Sequence, residues 1–353
     1  MLARSFAIDA SAPRVLIVDD SVVARTVIAR VVESCGRFAI AGVVGTAQAA
    51  LDFVADERVD LILLDIAMPG MDGLTALPDL LAIGHGARII IVSTSAVRGA
   101  SETVRALALG AADTVEKPAA AHMSGEFARA LIGSMDRLVA GRLPEPLAPV
   151  LRPVIRQPVD AGAFDVVLIG ASTGGIHALS IVLRDLPVTL SQPIVITQHL
   201  PAAFMPYFTA QLATITGRPC TIATDCMRLK PRHILVAPGD AHIRCVSTGE
   251  GAGAVRLTRE RAPTGCLPAV DPMFASAAEA FGARTLAIVL SGMGKDGAEG
   301  ARLIHEAGGC VVVQDEQSSV VWGMPGAVVG MGLADAVMPP EGIARLLMTG
   351  RRA

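Results

Sequence analysis

The chain has 353 residues, 52% of them hydrophobic, 18% charged and only 3% aromatic, with a net charge of −3. That length accommodates two domains whose cores are built from Val, Ile, Leu, Ala and Met, and the weakly acidic balance argues against nucleic acid as a partner. No apolar run reaches the roughly 18 residues of a membrane helix, so membrane insertion is not expected, and the six cysteines show no CxxC pair and read as reduced thiols of a cytoplasmic protein.

Residues 1–13 carry too little hydrophobic sequence for a signal peptide and read as an N-terminal extension. Residues 14–140 alternate strand and helix patterns. Strands are predicted at 14–19, 38–44, 60–64, 88–92 and 113–115. Helices follow from 22, at 47–56, 74–81, 99–109 and 123–140. Five strands alternating with five helices define a doubly wound parallel sheet. Residues 141–162 hold five prolines and little periodicity, the composition of a partly stiff linker.

The second domain, 163–353, begins the same way, with strands at 165–169 and 193–197 and helices at 176–185 and 203–214. Three short strands, 233–237, 242–247 and 254–258, separated by turn residues, read as an antiparallel insertion at one sheet edge. Helix 272–281, strand 286–290, helix 297–307, strand 310–313, a short helix near 318–323 and helices near 325–331 and 340–349 complete a mostly parallel α/β domain. The fold class is therefore two α/β domains, the second with an antiparallel edge hairpin.

In the first domain Asp19, Asp20 and Asp65 fall at the ends of two strands expected to be neighbours. Three carboxylates at one edge repel one another unless a hard cation sits among them, which implies Mg2+. Lys117 ends the fifth strand, and its neighbour Pro118 suggests a cis or tight turn. Thr94 offers a hydroxyl at the end of the fourth. Metal and lysine neutralising oxygens, Asp65 attacking and Thr94 hydrogen-bonding the transferred group suit phosphoryl transfer to a carboxylate. The pattern Asp19-Asp20, Asp65-Ile-x-Met-Pro-Gly-Met-Asp-Gly73, Thr94 and Lys117-Pro118 resembles a response-regulator receiver domain. The resemblance implies Asp65 as phosphoacceptor and a chemotaxis histidine kinase as phosphodonor. Where that family carries a switch aromatic, this chain has Val115.

In the second domain three apolar strands end in polar groups: Ser172 after 166–170, His199 after 193–197 and Asp296 after 285–290. If the strands are parallel neighbours, a nucleophile, a base and an orienting carboxylate meet at one edge. Backbone N–H groups near Thr173 and in Gly292-Met-Gly294 are candidates for an oxyanion hole. Gly170-Ala-Ser-Thr-Gly174 has the bare G-x-S-x-G form, but the chain order Ser, His, Asp differs from the Ser, Asp, His of α/β-hydrolases. The glycine spacing is not that of a dinucleotide turn. Asp315 is a rival for the acid role, Asp240 and Asp271 can line the site, and His177, His233, His242 and His305 read as surface or packing residues.

Gly170-Ala-Ser-Thr-Gly-Gly175, Thr197-Gln-His-Leu-Pro201, Ala237-Pro-Gly-Asp240, Pro268-Ala-Val-Asp271, Ser291-Gly-Met-Gly-Lys-Asp-Gly297 and Val321-Trp-Gly-Met-Pro325 together resemble the catalytic domain of chemotaxis protein-glutamate methylesterases. The resemblance implies hydrolysis of glutamate methyl esters on methyl-accepting chemoreceptors, with glutamine deamidation in many members and no cofactor for the ester reaction. It implies Ser172, His199 and Asp296 as the triad, with Met293 supplying oxyanion-hole backbone. It also implies that phosphorylation of the receiver opens access to Ser172. Two departures stand out: Cys266-Leu267 where the family commonly has His-Arg, and Lys295 where it commonly has Asn. They keep open an esterase serving a receptor-like pathway outside chemotaxis. A non-catalytic phosphorylation-dependent binding protein is the reading from a different class.

Overall fold

The computed structural model describes residues 12–94, 100–117, 125–140, 164–249 and 251–349. Nearly all of the N-terminal extension, the proline-rich linker and Pro118 lie outside the described residues. The chain divides into two compact units.

In the first unit, β1 (Arg14–Val18), α1 (Val22–Cys35), β2 (Ala39–Val44), α2 (Ala47–Asp56), β3 (Leu61–Leu64), α3 (Gly73–Ile83), β4 (Arg88–Thr94), α4 (Ala100–Leu109), β5 (Asp113–Lys117) and α5 (Gly125–Ala140) alternate. The sheet order is β2-β1-β3-β4-β5, parallel throughout. β3 reads Leu-Ile-Leu-Leu and is buried along its whole length, as a central strand covered on both faces must be. Helix starts are set by side chains: Ser21, Thr46 and Asp72 accept from the N–H groups of Ala24, Ala49 and Thr75.

The second unit contains β6 (Val166–Ala171), α6 (Gly175–Leu183), β7 (Ile194–Gln198), α7 (Met205–Thr216), β8 (Cys220–Ile222), β9 (Ile234–Val236), β10 (His242–Gly249), β11 (Ala252–Thr258), α8 (Val270–Phe281), β12 (Thr285–Val289), α9 (Ala298–Glu306), β13 (Cys310–Gln314), α10 (Met324–Gly330), β14 (Ala336–Met338) and α11 (Pro340–Thr349). Seven strands form one parallel sheet, in the order β14-β13-β12-β6-β7-β9-β8. β10 and β11 form the antiparallel hairpin. Its Ile243, Cys245 and Val255 share a core with Met273, Phe274 and Ala277 of α8.

The expected antiparallel insertion is thus smaller than the sequence suggested. Residues 234–236 are β9, which runs parallel between β7 and β8. All three residues of β9 are buried, so it is a sheet strand and not part of an exposed ribbon. β8 and β14, the two edges, have three residues each, too short for a period-two signal. No helix forms at 318–323. The Asp315 carboxylate instead accepts from Ser318 N–H at 2.9 Å and from Ser318 Oγ, closing a turn.

β6 opens the unit in sequence yet lies between β12 and β7. Strand order reverses there, and open α/β sheets place ligands outside the carboxyl ends of strands at such a switch point. Ile288 of β12, fully buried in this central region, is a test of the packing. Ile288→Ala should lower the unfolding free energy by about 2–5 kcal/mol, read from denaturant curves followed by circular dichroism. A loss below about 1 kcal/mol would contradict the tight packing assigned to β12.

Candidate active site

Loops leave the carboxyl ends of the adjacent strands β12, β6 and β7. Ala171 lies opposite Gln198 in the β6–β7 register, and His199 N–H donates to Ala171 O at 3.0 Å. Ser172 and His199 therefore emerge side by side. On the other flank Ser172 N–H donates to Ser291 O at 3.0 Å and Leu290 N–H to Gly170 O at 2.9 Å, which fastens the segment after β12 to β6. Gly174, at φ 76°, turns the chain into α6. A side chain at Gly292 would fall 2.8 Å from Ser172 Cβ and 2.4 Å from Met324 Sδ, so Gly292 lines the serine closely.

Asp296 is almost fully buried, and four donors point at it. Its Oδ2 accepts from His199 Nε2 at 2.7 Å and from Val270 N–H at 2.7 Å. Its Oδ1 accepts from Asp271 N–H at 3.1 Å and Gly297 N–H at 3.0 Å. Val270 and Asp271 open α8, and Gly297 caps α9. First-turn N–H groups have no helical partner and carry the positive end of the helix dipole. Two helix starts therefore converge on one carboxylate. Burial opposes the charge, but the His199 hydrogen bond and the Val270 and Asp271 donors outweigh it and hold Asp296 below the usual carboxylate range. Asp271 behaves oppositely. Burial, with the charge of Asp296 beside it, pushes it up to about 6.

A carboxylate only accepts, so Nε2 of His199 carries the proton that it donates to Asp296. Ser172 Oγ makes no hydrogen bond among the described residues. Such contacts commonly tighten only once substrate is bound. Burial works to lower the His199 pKa, but hydrogen bonds with Asp296 and Cys266 and the charges of both raise it to about 9. The Cys266 thiol is in turn pulled down, first by its hydrogen bond with His199. One ligand atom each of His199, Cys266 and Asp296 lies within 4.8 Å of the other two.

The other candidates separate clearly. The N–H groups of Thr173 and Met293 make no hydrogen bond among the described residues, whereas Gly292 N–H is engaged by Val321 O at 3.0 Å. The Asp315 carboxylate is committed to its turn. Asp240 is exposed and paired with Arg259. His242 accepts from Ala269 N–H at 2.8 Å and reaches Glu260 O at 2.8 Å, which are packing roles. Lys295 is exposed. The sequence reading passed over Gln198. Its buried amide donates to Ser172 O at 3.0 Å while its own Oε1 lacks a hydrogen-bond partner among the described residues. A polar residue ending a wholly buried strand of mostly apolar residues was the available signal. Gln314, whose Oε1 accepts from Ser291 N–H at 2.7 Å, ends β13 in the same way.

In the first unit Asp19 and Asp65 are buried and Asp20 is exposed, their carboxylate oxygens within 4.8 Å of one another. Lys117 Nζ reaches Asp19 Oδ2 at 2.6 Å and Asp65 Oδ2 at 2.8 Å. Burial, with the Asp19 charge adding to it, outweighs Lys117 and raises the Asp65 pKa. One ammonium thus leaves three carboxylates incompletely compensated, and the all-oxygen donor set fits a hard cation such as Mg2+. Thr94 ends β4 with its backbone paired to Lys117. Val115 is buried in β5.

The fold and the two sites define a class, a receiver unit on the same chain as an α/β hydrolytic unit. A family model described as "CheB methylesterase" matches residues 167–347, and one described as "Response regulator receiver domain" matches residues 15–123. The chain is 38% identical to protein-glutamate methylesterase/protein-glutamine glutaminase 1 of Rhodospirillum rubrum, over 95% of this chain and 94% of that one. It is 40% identical to protein-glutamate methylesterase/protein-glutamine glutaminase 2 of Caulobacter vibrioides, over 96% and 99%. The crystal structure of the Thermotoga maritima CheB methylesterase catalytic domain superimposes with a TM-score of 0.50 at 34% identity, covering 52% of this chain and 97% of that domain. The chain belongs to the CheB family, methylesterase/glutaminase enzymes linked to a phosphorylation receiver. Among the described residues no helix is long and apolar enough to cross a membrane.

The folded His199 pKa lies above the unfolded 6.5, so its pairing stabilises the fold fully below about 6.5 and the contribution fades as pH rises through about 9. NMR titration of the His199 ring should give a midpoint near 9, and Cys266→Ala should lower it by removing one of the groups that raise it. A midpoint at or below 6.5 in the intact protein would contradict this account.

Proposed function

We propose that the second unit hydrolyses γ-glutamyl methyl esters on methyl-accepting chemoreceptors, and deamidates glutamine there, through Ser172, His199 and Asp296. The observation that carries the reading is the His199–Asp296 pair of 2.7 Å beside a serine that leaves the neighbouring strand. Ser172 Oγ attacks the ester carbonyl and His199, in its neutral form, takes its proton at Nδ1. Asp296 fixes the ring and stabilises the imidazolium. The N–H groups of Thr173 and Met293 stabilise the oxyanion, and Gly292 shapes the wall beside the serine. Collapse of the intermediate breaks the acyl–oxygen bond, and His199 returns the proton to the departing methoxide, giving methanol. Water, deprotonated by His199, then attacks the acyl-serine and releases glutamate and Ser172. With glutamine the leaving group is ammonia.

Phosphorylation of Asp65 by a chemotaxis histidine kinase raises this activity. Asp19, Asp20 and Asp65 would hold Mg2+, which supplies positive charge against the oxygens of the transferred group. Lys117, already paired with Asp19 and Asp65, neutralises the same region. Thr94, at the end of β4, hydrogen-bonds the phosphoryl group and carries its presence into the strand.

Methanol release from methylated receptor fragments tests the chemistry. Ser172→Ala should reduce it on the order of 10⁴-fold or more, and an active Ser172→Ala protein would overturn the assignment. Asp65→Asn should abolish the rise in rate that a small phosphodonor gives. A rise that survives would place the acceptor elsewhere.

A further inference from the structure

We propose that His199, Cys266 and Asp296 form a binding site for Zn2+, and that filling it stops hydrolysis. The three residues offer an imidazole nitrogen, a sulfur and a carboxylate oxygen, mutually within 4.8 Å. Ligands about 2.0–2.3 Å from a tetrahedral zinc lie roughly 3.3–3.7 Å apart, so a shift of about 1 Å completes the set. The donor types decide the metal. A thiolate with an imidazole selects zinc over magnesium, whereas the all-oxygen set of Asp19, Asp20 and Asp65 selects the hard ion.

The surroundings suit a metal site. Asp296 is held in place by three backbone N–H donors, from Val270, Asp271 and Gly297. His199 and Cys266 are partly exposed, so an ion can enter from solvent. Binding releases the thiol proton to solvent, and a water fills the fourth position of three-ligand zinc sites.

Either ring nitrogen gives the same outcome. Zinc on Nδ1 takes the lone pair that receives the serine proton. Zinc on Nε2 displaces the hydrogen bond to Asp296. This consequence rests on the proposed triad; the binding does not.

The test uses the full chain, reduced with a phosphine and with excess Mg2+ to fill the acidic cluster. Co2+ serves as the spectroscopic stand-in and Zn2+ as the inhibitor. One equivalent of Co2+ should give a thiolate-to-metal charge-transfer band in the near ultraviolet, absent from Cys266→Ala and Cys266→Ser. Zn2+ should suppress methanol release reversibly on chelation, and either variant should need on the order of 100-fold more Zn2+ for the same fractional loss. No band in the wild type, a band that persists in both variants, or unchanged zinc sensitivity would overturn the proposal. Ser172→Ala keeps the readings apart. If it stays active the triad fails, while its charge-transfer band still reports on the metal site.

Discussion

The organisation of the catalytic unit depends on how it keeps one negative charge in its interior. Asp296 is buried, and a lone buried carboxylate is costly. The fold answers with the starts of two helices and an imidazole. α8 and α9 each bring N–H groups that have no helical partner to Asp296, and the carboxylate brings the acceptor they lack. Each element satisfies the other. The same contacts fix the position of His199, because its Nε2 reaches the oxygen that Val270 holds. Removing the carboxylate would leave unpaired donors at two helix ends as well as an unanchored imidazole.

Both units use one topological rule. In the receiver, strand order reverses between β1 and β3, and Asp19 and Asp65 follow those strands. In the second unit the reversal lies at β6, and Ser172 follows it. Parallel strands bring chain ends of distant sequence to one rim. Residues 172, 199 and 296 become neighbours for that reason, as do 19, 65 and 117.

Much of this was legible in the sequence, because long buried strands such as Val166–Ala171 and Leu61–Leu64 are nearly pure runs of apolar residues, and what interrupts them is chemistry. The polar residues that follow such runs singled out Ser172 and Asp65. The short edge strands β8 and β14 were illegible, since three residues carry no period. β9 was misplaced because its apolar triplet fits a ribbon as well as a sheet. The partners of Asp296 were beyond reach for another reason. They are backbone N–H groups, which every residue but proline possesses, so no side-chain pattern announces them. Cys266 was visible as a departure from relatives, but only coordinates bring its sulfur beside the imidazole.

Trp322 is the single tryptophan of the chain, and Tyr207 the single tyrosine. The indole N–H donates to Gln314 O at 3.2 Å, and the backbone bridges to Gly292 beside the serine. The molecule therefore carries one native indole, bridged to the segment beside Ser172, while the receiver emits nothing at indole wavelengths. Changes in that glow report on that segment without any label, and events at Asp65 become visible in it only if they reach across the chain.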